Sequence, residues 1–137
     1  MKTIIALSLF VTVSAASCQP VRQPPAAQTG VDIKALPARL SYNELTRLVA
    51  AYPTELLILD VRTFEEFRSG YIPGARLTPY DELASIFKEP DKTRPIVVYC
   101  RTGRRSSIAM DTLKAMGYLN LSDFGGVSNW KGQLLRE

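Results

Sequence analysis

The sequence predicts a three-layer α/β domain with a mostly parallel, five-stranded sheet flanked by helices. Three observations carry that prediction. Strand-like and helix-like stretches alternate along most of the chain, the arrangement that produces a covered parallel sheet. Two runs, Leu56–Val61 and Ile96–Tyr99, are apolar on both faces, as central parallel strands are. The second run ends in Cys100-Arg101-Thr102-Gly103-Arg104-Arg105 and leads into a helical pattern, and in such sheets ligands sit outside the carboxyl ends of the strands.

The first 17 residues read as a secretory signal rather than part of the fold. Lys2 gives a charged start, Ile4–Val13 is an uncharged apolar run too short to span a bilayer, and Ser14-Ala15-Ala16-Ser17 supplies small residues for cleavage. A cysteine directly after small residues resembles a bacterial lipoprotein signal. That resemblance makes Cys18 the site of lipidation, the protein an exported, periplasmic lipoprotein, and Cys18 its membrane tether. Residues 18–32, with three prolines and no hydrophobic period, read as a linker, which leaves a domain over residues 33–137.

Within the domain, Ala38-Arg39-Leu40 reads as a short strand entering a helix that Ser41 and Glu44 cap as a box and that Leu45, Leu48 and Val49 stripe. After the strand Leu56–Val61, Thr63–Arg68 reads as a short helix stopped at Ser69-Gly70. Ile72-Pro73-Gly74-Ala75 turns into a brief strand at Arg76-Leu77, and Asp81–Phe87 is helical. Beyond the loop Glu89–Lys92 comes the strand that carries Cys100. Ile108, Ala109, Leu113 and Met116 then keep helical spacing up to Gly117, a C-terminal stop. Leu119–Phe124 is a fifth strand, Gly125-Gly126 a turn and Val127–Leu135 a closing helix.

Composition narrows the chemistry. The 137 residues carry a formal charge of +4 and are 46% hydrophobic, enough for one domain with a core. The basic residues are dispersed except between Arg101 and Arg105, which excludes a nucleic-acid footprint and suits a small anionic substrate. Histidine is absent, so Ser-His-Asp triads, Cys-His pairs and His-ligated zinc are excluded. The two cysteines lie far apart, which excludes Cys₄ metal sites and C-x-x-C redox pairs; no metal or other cofactor is implied. The sulfur nucleophile is the thiolate, and cations or a helix N-terminus favour it. Cys100 has both within six residues. Its activation is therefore expected from the arginines and the backbone dipoles of the loop.

The loop Cys100–Ser106, together with Asp60-Val61-Arg62, Gly70-Tyr71-Ile72-Pro73-Gly74-Ala75 and Gly125-Gly126 before Trp130, resembles a single-domain rhodanese over Leu40–Leu135. The resemblance implies sulfur transfer through a persulfide on Cys100, from a small anionic sulfur donor such as thiosulfate to a thiol or cyanide. It makes Arg101, Thr102, Gly103, Arg104 and Arg105 the substrate-binding loop, with Arg101 favouring thiosulfate. It also implies that Arg105 is braced by an acid, Asp60 or Glu65, with Asp60, Arg62 and Glu65 supporting the loop. Tyr71 stands where the family usually has histidine. Trp130 is expected in the core. Phosphatases and arsenate reductases on the same fold grip phosphate with an arginine at the position of Ser106, so this chain departs from them. A non-catalytic binding module and a structural envelope lipoprotein are the remaining alternatives, and neither accounts for the thiol and its arginines.

Overall fold

The computed structural model describes residues 30–136. The signal, Cys18 and most of the linker lie outside the described residues. The sheet has four strands, all parallel, in the order β2-β1-β3-β4: β1 is Leu57–Asp60, β2 Ala75–Leu77, β3 Ile96–Cys100 and β4 Leu121–Gly126. Ala38–Leu40, the first of the five expected strands, is reduced to a single parallel bridge between Arg39 and Asp123. That bridge still covers the outer edge of β4, where the Leu40 amide donates to the Asp123 carbonyl and the Asp123 amide to the Ala38 carbonyl.

Alternation along the central strands builds two cores. Leu59, Val61, Val98 and Cys100 face one side of the sheet, where α3 (Leu83–Ile86) and α4 (Arg104–Ala115) bury Leu83, Ala109, Met110 and Leu113 against them. Ile58, Val97 and Tyr99 face the other side, under α1 (Tyr42–Ala51) and Phe124. A ten-residue helix is marginal alone in water. Burial of Leu45 and Leu48, worth roughly 1.5–3 kcal/mol each, and the Ser41–Glu44 capping box hold α1 in place. Val31, Ile33 and Leu36 pack on the same cluster.

Two expectations are corrected at the C-terminus. Gly125-Gly126 are the last residues of β4 rather than a turn, and the expected closing helix Val127–Leu135 is a single 3₁₀ turn, Val127–Asn129, followed by extended chain. That chain is held by paired backbone hydrogen bonds between Tyr71 and Leu135, both 2.9 Å, while Leu134 covers Gly70. Trp130 is half-buried beside Tyr42 and Phe124, in the core as expected.

The sheet's carboxyl end is fixed by a buried polar network. Asp60 is fully buried and accepts from Arg62 Nε at 2.9 Å and Nη2 at 2.6 Å, and from the Tyr99 hydroxyl at 2.6 Å. Arg62 Nη2 also reaches the Gly70 carbonyl at 2.7 Å, and the Tyr99 oxygen accepts the Ile72 amide at 3.1 Å. Burial, and then the Asp60 carboxylate, push the Tyr99 phenol far above its usual range, so it remains a donor. Tyr99→Phe deletes one donor to a buried carboxylate and should cost about 1.5–3 kcal/mol in urea unfolding at neutral pH. A loss below about 0.5 kcal/mol would show that the hydroxyl contributes nothing to the network.

Candidate active site

Strand β3 brings Tyr99 and Cys100 to the carboxyl end of the sheet on opposite faces, because successive strand residues alternate. Tyr99 is anchored in the polar network, and Cys100 thereby points toward α4. The chain cannot continue as a strand there. Gly103 takes φ 102°, the left-handed region that favours glycine, and α4 begins at the next residue. Between them the loop curls so that its amides face the sulfur: the Gly103 amide donates to Cys100 Sγ at 3.0 Å.

Burial by itself raises the pKa of the Cys100 thiol. Hydrogen bonds from the backbone amides of Ser106, Gly103 and Thr102 outweigh burial and hold the thiol below its ordinary value, with the Ser106 hydroxyl beside them. The same hydroxyl lies 2.9 Å from the Gly103 carbonyl and bonds across the loop. Cys100 itself is almost fully buried, so the sulfur sits at the floor of this ring of donors.

The loop's other side rests on β4. Cys100 is in register with Gly126, past a shift in the ladder at Val98/Tyr99. A Cβ on Gly126 would fall 2.8 Å from the Arg101 carbonyl oxygen, closer than side-chain carbons approach backbone, so glycine is what lets the loop lie flat against the strand end. Gly125 adopts φ 82° directly beneath Gly103.

The loop arginines divide into two kinds. Arg105 is half-buried and makes a bidentate ion pair with Glu66, at 2.7 and 2.8 Å, so the brace is Glu66 and neither Asp60 nor Glu65. Asp60 is committed to Arg62 and Tyr99, and Glu65 is exposed. Arg105, more than the opposing effect of burial, holds the Glu66 carboxyl down at about 2. The pair therefore favours the folded state above the ordinary carboxylate range and loses that effect as the pH falls toward 2. Arg101, Thr102 and Arg104 are exposed, and neither Arg101 nor Arg104 has an ion pair among the described residues.

Against the burial that raises it, the loop amides lower the Cys100 thiol, and Arg105 is engaged first by Glu66. Sequence reasoning missed Glu66, Tyr99, Ser106 and the close approach at Gly126. Glu66 carried a signal, since Thr63-Phe64-Glu65-Glu66 spells a capping box and places Glu66 at the start of α2 (Phe64–Ser69). Among the described residues no cluster of three His, Cys, Asp or Glu side chains could hold a metal ion.

The family profile "Rhodanese-like domain" matches residues 41–133, the span from α1 through this loop to the extended C-terminal chain. A "Sulfurtransferase" of Allochromatium vinosum is 34% identical over 103 residues, covering 73% of this chain and 85% of its own. The "Thiosulfate sulfurtransferase PspE" of Escherichia coli is 33% identical over 73 residues, covering 52% of this chain and 70% of its own. The solved "Rhodanese-like Domain Protein from Staphylococcus aureus" superposes with a TM-score of 0.64 at 29% identity, covering 74% of this chain and 99% of that one. Two longer relatives, from Bacillus subtilis and Meyerozyma guilliermondii, are matched over only 43% and 20% of their lengths. With the fold, the matched span and the Cys100 loop in agreement, the chain belongs to the rhodanese-like domain family.

Proposed function

We propose that this protein is a thiosulfate sulfurtransferase that carries the transferred sulfur as a persulfide on Cys100. The observation that carries the reading is the buried Cys100 sulfur facing a ring of loop amides that favour its thiolate. The thiolate attacks the outer sulfur of thiosulfate, the S–S bond of the donor breaks, and sulfite leaves with the electron pair. The new terminal sulfur is anionic, and the amides of Thr102 and Gly103 are the donors that would receive it. Cyanide or a thiolate then attacks that terminal sulfur and returns the electron pair to Cys100, so one hard transfer becomes two displacements.

Arg101 follows the nucleophile, is exposed and has no ion pair among the described residues, which suits it to the sulfonate of the donor. Ser106 argues against phosphate chemistry. Its buried hydroxyl bonds across the loop, and it offers no guanidinium fork for a phosphoryl group. The reading extends to export, with the mature chain beginning at a lipidated Cys18; its support is the apolar run and the small residues before that cysteine.

Intact mass tests the central step. Thiosulfate should add one sulfur atom to the wild type, cyanide should remove it as thiocyanate, and Cys100→Ser should show neither. A protein that gains no sulfur but hydrolyses an aryl phosphate would overturn the reading. Arg101→Ala should raise KM for thiosulfate by about tenfold or more, consistent with roughly 1.5–3 kcal/mol for a hydrogen bond to a charged group, with a smaller effect on kcat. An unchanged KM would remove Arg101 from donor binding. Cys18→Ser should move the protein from the membrane fraction to the soluble one; a wild type that is wholly soluble with another N-terminus would refute lipidation.

A further inference from the structure

The short turn after β4, Val127–Asn129, is anchored on every side of one residue. Val127 and Trp130 pack against the second core, the Trp130 amide donates to the Val127 carbonyl at 3.0 Å, and the Asn129 side chain donates to the Phe124 carbonyl at 2.9 Å. Ser128, between these anchors, is exposed, and its hydroxyl has no hydrogen-bond partner among the described residues.

That hydroxyl lies at the Cys100 loop. A Cβ on Gly126 would find the Arg101 carbonyl oxygen at 2.8 Å, Ser128 Oγ at 3.3 Å and Thr102 Cα at 3.3 Å, so the turn and the loop meet around one point. Gly126 is in register with Cys100, and residues in register on neighbouring strands share a face of the sheet. On the face that carries the Cys100 sulfur, the Ser128 hydroxyl thus borders the space that a β4 side chain would otherwise fill. Across that space stand Arg101 and Thr102, both exposed and neither with a side-chain hydrogen bond among the described residues. An exposed serine ordinarily bonds water and needs no explanation. Ser128 differs in being held by its neighbours at a fixed place beside a buried nucleophile, the condition for a preorganised contact.

The chemistry of the donor matches this arrangement. The sulfonate of thiosulfate offers three charged acceptor oxygens, and one guanidinium fork engages two of them. We infer that Ser128 is a donor-binding residue, its hydroxyl donating to a sulfonate oxygen of thiosulfate across from Arg101 while the outer sulfur faces Cys100. This rests on the thiosulfate reading above. The hydroxyl keeps its proton throughout: the donor S–S bond breaks, sulfite leaves with the electron pair, and Ser128 stays bonded to an oxygen that is negative before and after the step. A contact equal in ground and transition states is read in KM rather than kcat.

The test uses the full protein and thiosulfate itself, with loading followed as the mass gain of one sulfur atom over a range of thiosulfate concentrations. Ser128→Ala should raise the half-saturating concentration about fivefold while the maximal loading rate changes by less than about twofold. Ser128→Glu sets a carboxylate against the sulfonate and should raise it at least about twentyfold, with the excess over Ser128→Ala shrinking at about 0.5 M salt, where the Debye length is only a few Å. Ser128→Thr, which restores a hydroxyl, should recover most of the loss. Cyanide carries no sulfonate, so at low thiosulfate Ser128→Ala should slow loading about fivefold more than it slows discharge of the loaded persulfide by cyanide. A half-saturating concentration unchanged in Ser128→Ala and Ser128→Glu would overturn the inference. Equal slowing of loading and discharge would overturn it too, since that marks a turn that only supports the loop. Either result leaves the wild-type persulfide, and with it the sulfurtransferase reading, intact. A wild type that gains no sulfur from thiosulfate would overturn the thiosulfate reading and the inference with it.

Discussion

The fully buried Asp60 carboxylate at the end of β1 is the constraint on which the rest of the carboxyl end depends. A lone buried carboxylate is costly, and here its oxygens are met by the Arg62 fork, the Arg62 amide and the Tyr99 hydroxyl. Each partner fixes something else. Arg62 pins the Gly70 carbonyl at the end of α2, and Tyr99 receives the Ile72 amide at the end of β3. Replacing such a network with well-packed apolar residues is often neutral for stability, so its value here is positional. With Tyr99 fixed on one face, Cys100 must present its sulfur on the other.

A second arrangement then turns that position into chemistry. The glycines below the loop let it lie against β4, and the Glu66–Arg105 pair ties its far end to α2. The amides between these fixed ends converge on the sulfur instead of on water. In the proposed transfer, preorganised dipoles of this kind would need no reorganisation as negative charge moved from the sulfur of Cys100 to the sulfur beyond it. The arginines are then released for other tasks. Arg105 pairs with Glu66, while Arg101 and Arg104 are exposed at the surface.

The central strands and the place of Cys100 at their carboxyl end were legible because they depend on local pattern: doubly apolar runs for β1 and β3, one cysteine before a glycine-containing loop, and a capping box before α1. The closing helix was misread because Val127, Trp130 and Leu134 mimic helical spacing although each packs against the second core from a 3₁₀ turn and an extended chain that bonds to Tyr71. Glu66 and Glu65 are adjacent in sequence, but neighbours on a helix point about 100° apart, and only the packing of α2 decides which one meets Arg105. Gly125-Gly126 looked like a turn because a close backbone approach leaves no trace in sequence distinct from a bend. Tyr99 read as one more apolar strand residue, its hydroxyl useful only once β1 lies beside it.

The loop amides lower the pKa of the Cys100 thiol against the opposing effect of burial. Its most direct measurement is the pH titration of thiolate ultraviolet absorbance in a Cys18→Ser protein, where Cys100 is the sole cysteine, with and without Arg101→Ala and Arg104→Ala together. The midpoint should lie below the free-cysteine value of about 8.5 and move by no more than a few tenths when both arginines are removed. A midpoint at or above that value, or one that rises by about a full unit in the double variant, would contradict it.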